Sequence, residues 1–190
     1  MSKEYLTKSE FIKTTSISGL LVIERPTFRD HRGFFREVYR KDELLAAGVD
    51  FKPVQQNHSR SNPGVIRALH AERWNKLVYP IASNSRMFAA IADIRPESAT
   101  FAKVETFEFS GEPFKSLYIP NGLANSICVV GNEPLDYIYL VDAYYTGGDT
   151  RAVAWNDPDL AINWPIKNPI ISERDQHNPT LRELFPEKFI

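Results

Sequence analysis

The sequence predicts an all-β protein, a sandwich or barrel of short strands. Three observations point there. About ten short apolar or alternating runs recur at roughly 8–12-residue spacing, the rhythm of strands and turns. Aromatic residues that suit a pleated, half-buried surface are abundant, with Phe 12, Tyr 8 and Trp 3. Turns punctuate this aromatic content, helped by 13 prolines, which disfavours a helical bundle. The length, 190 residues, fits one domain with a sizeable core. It divides into an N-terminal arm over 1–18, a β core over 19–165 and a C-terminal tail over 166–190. No internal repeat, linker or low-complexity tract interrupts it.

The elements follow in order. Leu20-Leu21-Val22-Ile23 reads as a buried strand stopped by Pro26. Arg29-Asp30-His31-Arg32-Gly33 is a charged turn in which Gly33 supplies backbone freedom. It feeds a strand over 34–39. Asp42 is placed to cap a short helix over 43–47, which Gly48 ends. Residues 53–59 form a polar strand, either a solvated edge or a pocket wall, because its amides and hydroxyls need partners. Ser61-Asn62-Pro63-Gly64 is a strong turn. Further strands are expected over 65–70, 77–81, 87–94, 101–109, 114–119, 123–130 and 135–141. The run at 87–94 is nearly all apolar, so it is expected between two layers. Residues 144–149 form a loop, and a last helix is expected over 180–185.

Charge and cysteine content exclude several classes. Lys+Arg 23 against Asp+Glu 24 gives a net charge of -1. No global field draws the chain to nucleic acid or to an anionic membrane. Cys128 is the only cysteine, so neither an internal disulfide nor a cysteine zinc site is available. There is no signal-peptide pattern and no apolar run of about 18 residues, so a cytoplasmic location is expected.

The chemistry-bearing stretch is Gly64-Val65-Ile66-Arg67-Ala68-Leu69-His70, followed by Lys76. An imidazole flanked by a guanidinium and an ammonium suits an anionic substrate that loses a proton. Alternation puts Val65, Arg67 and Leu69 on one face and Ile66, Ala68 and His70 on the other, unless a bulge intervenes. On these residues alone, His70 reads equally well as an ordinary hydrogen-bonded strand histidine. Arg67 within a β run calls for an anion. Tyr139 reads as a core tyrosine, Asp175 as a solvated carboxylate and Arg32 as the turn partner of Asp30. The four histidines, His31, His58, His70 and His177, contain no His-x-His pair. A metal site is therefore not expected, and His58 and His177 read as surface histidines.

Taken together, the motifs resemble one family. They include Asp30-His31-Arg32-Gly33-Phe34-Phe35-Arg36-Glu37, Val54-Gln55-Gln56-Asn57-His58-Ser59, Val65-Ile66-Arg67-Ala68-Leu69-His70 and Lys76-Leu77-Val78. Later come Asp93-Ile94-Arg95, Ile119-Pro120-Asn121-Gly122, Tyr137-Ile138-Tyr139, Trp155-Asn156-Asp157-Pro158, Ile162-Asn163-Trp164-Pro165 and Ser172-Glu173-Arg174-Asp175. In this order and spacing the chain resembles the dTDP-4-dehydrorhamnose 3,5-epimerase family from about Gly19 to Asp175. The resemblance implies a cupin-type jelly roll, a homodimer with exchanged N-terminal strands, a nucleotide-linked keto-sugar substrate and no cofactor. It also implies roles. His70 matches the general base, Asp175 its partner, Tyr139 the acid on the opposite face and Lys76 the residue beside the substrate carbonyl. Arg32, Glu37, Gln55, Asn57, Arg67 and Arg174 match nucleotide- and diphosphate-binding positions.

The implied reaction inverts a carbon next to a ketone. Such a C–H is a far weaker acid than imidazolium, so the site must stabilise the enolate as well as supply a base. An imidazole is suited to the second task, since its reference pKa of about 6.5 leaves it largely neutral near pH 7. A fixed ammonium beside the developing oxyanion serves the first. A phenol on the other face completes the inversion.

The sequence departs from the family pattern at Ala68, Ala89, Asn125, Ser126 and Thr150, and in the short segment between His70 and Lys76. Ala68 is expected to narrow the approach to the base. Asn125 stands where a titratable group near the sugar is common, and so counts as a candidate substrate contact. The departures imply retained proton transfer with an altered sugar. The alternative is a catalytically silent sugar-nucleotide-binding protein using the same pocket.

Overall fold

Two antiparallel sheets stack face to face. The structure, a computed structural model, describes residues 10–82, 85–148 and 150–189, without the side chain of Thr150. The first sheet contains β1 (Ile12–Thr14), β2 (Leu21–Glu24), β5 (Gln55–Ser61), β7 (Lys76–Ile81), β10 (Lys115–Ile119) and β12 (Leu135–Val141). Its order is β1-β2-β10-β7-β12-β5. The second contains β6 (Ile66–Glu72), β8 (Met87–Asp93), β9 (Val104–Phe109), β11 (Leu123–Val129) and β13 (Thr150–Ala152), in the order β13-β6-β11-β8-β9. A separate hairpin pairs β3 (Phe28–Asp30) with β4 (Gly33–Phe35). Among the described residues the helices are short: α1 (Lys41–Ala46), α2 (Glu173–Gln176) and α3 (Leu181–Leu184), with a 3-10 turn over Pro186–Lys188. No helix among the described residues is long and apolar enough to cross a membrane.

Alternation explains the three buried clusters. Between the sheets lie Val78, Ala89, Ile91, Leu117, Ile127, Val129 and Tyr137. On the outer face of the second sheet, Ile66, Leu69, Ala92, Ala124 and Cys128 pack against Val153, Leu160, Leu181 and Phe185 of the C-terminal region. Outside the first sheet, Leu44 of α1 and Phe51 cover Leu21, Ile23, Leu77 and Tyr118. A wholly buried side chain such as Leu69 contributes about 1.5–3 kcal/mol by its removal from water. The apolar run of β8 is sandwiched as its composition predicts, with Ala89 and Ile91 inward and Phe88 and Ala92 outward.

Several local expectations are corrected. The strand expected over 34–39 stops at Phe35, in a hairpin with all six of its strand residues exposed. Asp42 is not the helix cap. Arg40 occupies that position, and Asp42 pairs with it at 2.6 Å from inside the first turn. The strand expected from 101 begins at Val104, because Ala102 adopts a positive φ of 61° and breaks the alternation. Residues 173–176, expected as plain tail, form a turn of helix capped by Ser172. The last helix starts as expected: Thr180 and Glu183 make a reciprocal capping box. Of the expected arm, residues 1–9 lie outside the described residues, as does Asp149 of the 144–149 loop.

Candidate active site

At one end of the sandwich the sheets part around a cavity of about 320 Å³. Gln55, Asn57 and Ser59 of β5, Lys76 of β7 and Tyr137 and Tyr139 of β12 form one wall. Arg67, His70 and Glu72 of β6 face them with Asn125 and Ile127 of β11. Trp74 and Tyr145, in edge contact at 6.2 Å, and Arg174 complete the rim.

A bulge in β6 brings Arg67 and His70 onto one face. Asn125 pairs with His70 but Ile127 pairs with Arg67, so Ala68 and Leu69 of β6 stand opposite the single Ser126 of β11. Ala68 and Leu69 both turn outward into the cluster beneath the C-terminal region. Arg67 and His70, which strict alternation would separate, therefore both line the cavity. Gly64, at φ 80°, starts this strand from a backbone conformation that other residues rarely adopt.

The chain after the core supplies the partner of His70. Ile66 N donates to Ile170 O at 3.0 Å and Ile170 N donates to Gly64 O at 2.8 Å. This docks the tail along β6. Ser172 then caps α2 and sets Asp175, 2% exposed, beneath the imidazole. His70 Nε2 lies 2.8 Å from Asp175 Oδ1 and 2.8 Å from Arg174 Nη2. Arg174 Nε also donates to Asp175 Oδ1 at 3.0 Å. Burial pushes the Asp175 carboxyl up, but the hydrogen bond and charge of His70, with help from Arg174, outweigh it and hold the group at about 2.

On the opposite wall Lys76 is 4% exposed. Its ammonium pairs with Glu72, lies 3.5 Å from Asn125 Oδ1, and sits 4.7 Å above the centre of the Tyr139 ring. Asn125 Nδ2 donates to His70 O at 2.6 Å and to Glu72 Oε2 at 2.9 Å. Burial raises the Tyr139 phenol above its ordinary range, the Glu72 charge adds to this, and Arg67 opposes it. Gln55 Nε2 donates to Asn57 Oδ1 at 2.8 Å, and Arg67 Nε donates to Ser61 Oγ at 2.9 Å. An imidazole, an ammonium and a phenol thus line one cavity.

Not every anticipated residue joins it. Arg32 forms an exposed ion pair with Asp30 in the β3–β4 turn, and Glu37 pairs with Arg25 at 3.4 Å; neither lines the cavity. Ala68 faces away from it, so its methyl does not narrow the approach to His70. Ala89 belongs to the inter-sheet core, and Ser126 bridges to the Ala90 backbone. Of the single-residue departures whose side chains are described, only Asn125 lines the cavity, joined by Glu72 and Trp74 of the short segment between His70 and Lys76. Ser59, Glu72, Trp74, Ile127, Tyr137 and Tyr145 also line it, without a site role expected from the sequence. Glu72 shares the face of His70 because the observed β6 runs on to it, and alternation puts the second residue after His70 on the same side. Away from the site, His58 pairs with Asp136 and His177 Nδ1 lies 2.7 Å from Glu173 O. Among the described residues no three His, Cys, Asp or Glu side chains gather as a metal-binding group.

The family model for dTDP-4-dehydrorhamnose 3,5-epimerase matches residues 14–183. The chain belongs to that family. It is 34% identical over 184 residues to the dTDP-4-dehydrorhamnose 3,5-epimerase of Escherichia coli K12, an alignment covering 93% of this chain and 97% of the relative. Among solved structures it is similar to the dTDP-6-deoxy-D-glucose-3,5-epimerase of Legionella pneumophila in complex with dTDP-4-keto-L-rhamnose. There the TM-score is 0.84 and the identity 32%, covering 93% of this chain and 95% of that one. It is similar also to a double mutant of a 3'-monoepimerase from Streptomyces bikiniensis in complex with dTDP. That match has a TM-score of 0.84 and 26% identity, covering 93% and 90% of the two chains. The two-sheet sandwich is the cupin-type jelly roll of the epimerase family, and membership sets the chain among sugar-nucleotide epimerases of the isomerase class.

Proposed function

We propose that this chain inverts C3, C5 or both of a nucleotide-linked 4-keto sugar. His70 removes the proton next to the ketone. Asp175 holds the ring and stabilises the imidazolium that forms. The electron pair moves onto the ketone oxygen, where the Lys76 ammonium meets it. Tyr139 delivers a proton to the opposite face of the same carbon and is reprotonated from solvent. The electron pair returns from the enolate oxygen to that carbon as it is protonated, and the His70 imidazolium gives its proton to solvent, which restores the site. Gln55, Asn57, Arg67, Asn125 and Arg174 bind the sugar and its diphosphate carrier.

The observation that carries this reading is the convergence of the His70–Asp175 pair, Lys76 and Tyr139 on one cavity from four separate segments. Two copies of the chain exchange N-terminal strands, and Arg32 and Glu37 reach substrate from the second copy. Support for this lies in the β3–β4 hairpin, whose Phe28, Phe34 and Phe35 are 59%, 53% and 66% exposed.

Incubation with 4-keto sugar nucleotides in deuterated water tests the reaction. Deuterium should enter C3, C5 or both, and His70→Ala should abolish the exchange. A silent sugar-nucleotide-binding protein is the second reading, favoured by the pairing of Lys76 with Glu72, which offsets the charge an enolate needs. Tight binding without exchange over hours would select it.

A further inference from the structure

Among the described residues, Glu72 is the only carboxylate lining the cavity. Its side chain is 13% exposed. We infer that Glu72 determines substrate specificity: its carboxylate accepts a hydrogen bond from a sugar hydroxyl beside the reacting ketone. The inference rests on the epimerase reading and extends it to a substrate class.

The hydrogen bonding of Glu72 leaves room for such a donor. An ionised carboxylate offers about four acceptor sites on two oxygens. Lys76 Nζ takes one on Oε1 and Asn125 Nδ2 takes one on Oε2. No other donor among the described residues reaches it. The remaining acceptor capacity belongs to a group that borders the cavity.

Position then narrows what fills it. Lys76 is fixed by Glu72, by Asn125 and by the Tyr139 ring. Glu72 and Asn125 take two of the three N–H groups of Lys76, and a ketone oxygen held by the third lies within a hydrogen bond of the atom that Glu72 also holds. Substituents flanking the ketone are therefore the parts of the sugar nearest Glu72. A hydroxyl there satisfies the carboxylate. A methyl or methylene leaves it without its water and without a replacement. A buried site built to hydrogen-bond a hydroxyl discriminates against the analogue lacking it far more strongly than an apolar pocket does. The favoured substrates are thus 4-keto sugars hydroxylated next to the ketone, through C3 or through C6 on the C5 side.

The experiment measures kcat/KM by deuterium wash-in for the wild type and Glu72→Gln. It uses two matched pairs of 4-keto sugar nucleotides, 6-hydroxy against 6-deoxy and 3-hydroxy against 3-deoxy. In at least one pair the wild type should favour the hydroxylated member by roughly tenfold or more. Glu72→Gln should cut that preference to about threefold or less, with the loss falling on the hydroxylated member, because a neutral acceptor binds it more weakly. The pair that responds identifies the hydroxyl. Equal losses on both members of both pairs would overturn the inference and leave Glu72 as an anchor for Lys76 alone. Equal wild-type rates within each pair would overturn it without any variant. Absence of exchange from every compound with the wild type would overturn the epimerase reading and this inference with it, a result distinct from exchange without discrimination.

Discussion

His70 Nε2 and Asp175 Oδ1 lie 2.8 Å apart although 105 residues separate them in the chain. The pair exists because the tail bridges to the start of β6 and α2 then carries its second acid under the imidazole. Removing the charge while keeping the shape tests whether the pairing matters chemically. Asp175→Asn should lower kcat by on the order of 10²-fold or more, with KM changed less than about threefold. Steady-state inversion rates check this, with circular dichroism to monitor the fold. A normal kcat would remove Asp175 from the reaction.

Arg174 competes for the same nitrogen. Nε2 carries one hydrogen or none in a neutral ring, so it donates to Asp175 or accepts from Arg174, not both. Arg174 is 65% exposed, and in the proposed reading it gives up this contact for the diphosphate. Arg174→Met should therefore raise KM about tenfold or more while the saturated exchange rate stays within about threefold. A fall in the saturated rate with KM unchanged would make Arg174 part of the base assembly instead.

Tyr139 separates abstraction from delivery. Its phenol is raised above the ordinary range by burial and by Glu72, so it stays protonated at neutral pH and available as a donor. Tyr139→Phe should spare deuterium exchange while inversion falls by roughly 10²-fold. Nuclear magnetic resonance of one reaction mixture reports both. Equal loss of the two would count against Tyr139 as the opposite-face acid.

Strand periodicity made the fold legible. β12 matches its expected bounds, and β6, β7, β8, β10 and β11 differ from theirs by a residue or two. What failed was set by contacts distant in sequence. The β6 bulge depends on Leu69 exchanging both backbone hydrogen bonds with Val153, and no local pattern announces that. Without it Ala68 looked sugar-facing, when its methyl lies under the C-terminal region. The positive φ of Ala102 is equally invisible, because alanine carries no signal for it. In the site, His70 and Lys76 stood out in the chemistry-bearing stretch, whereas Tyr139 read as a core tyrosine and only the family resemblance placed it there. Glu72 lies beyond residue 70, the expected end of its strand, and only the longer observed β6 puts it on the cavity face. Arg32 and Glu37 had matching motifs, but Arg32 in the hairpin turn and Glu37 just after the hairpin do not line the cavity of the same chain.

Asp93 sets an acid limit on stability. It is fully buried at the end of β8, where it accepts hydrogen bonds from Arg95, Ser98 and Thr100 and ties down the turn before β9. Burial pushes its carboxyl up, but those hydrogen bonds prevail and hold it at about 2. The unfolded chain protonates Asp near 3.9. The group thus contributes about 2–3 kcal/mol, fully present above pH 4 and lost as pH falls through about 2. Asp93→Asn should lose about that much stability at pH 7 in urea melts, and the gap from wild type should close between pH 4 and 2. A gap independent of pH would assign the loss to packing.

Asp157 joins stability to the site. It is 2% exposed, and its Oδ1 accepts from Asp159 N at 2.9 Å and Leu160 N at 3.0 Å. Oδ2 accepts from Leu181 N at 2.6 Å, which fastens the first turn of α3 to the loop after β13. Asp157→Ala would orphan those backbone donors, two of them buried with Leu160 and Leu181, at a cost of about 2–4 kcal/mol. The same contact holds the C-terminal region whose upstream residues include Arg174 and Asp175. Activity should therefore fall at temperatures where most of the protein is still folded. Hydrogen exchange should register early opening across 172–185, while the amides of β8 and β11 stay protected. Uniform loss of protection would mean instead that the tail and the sandwich unfold as one unit.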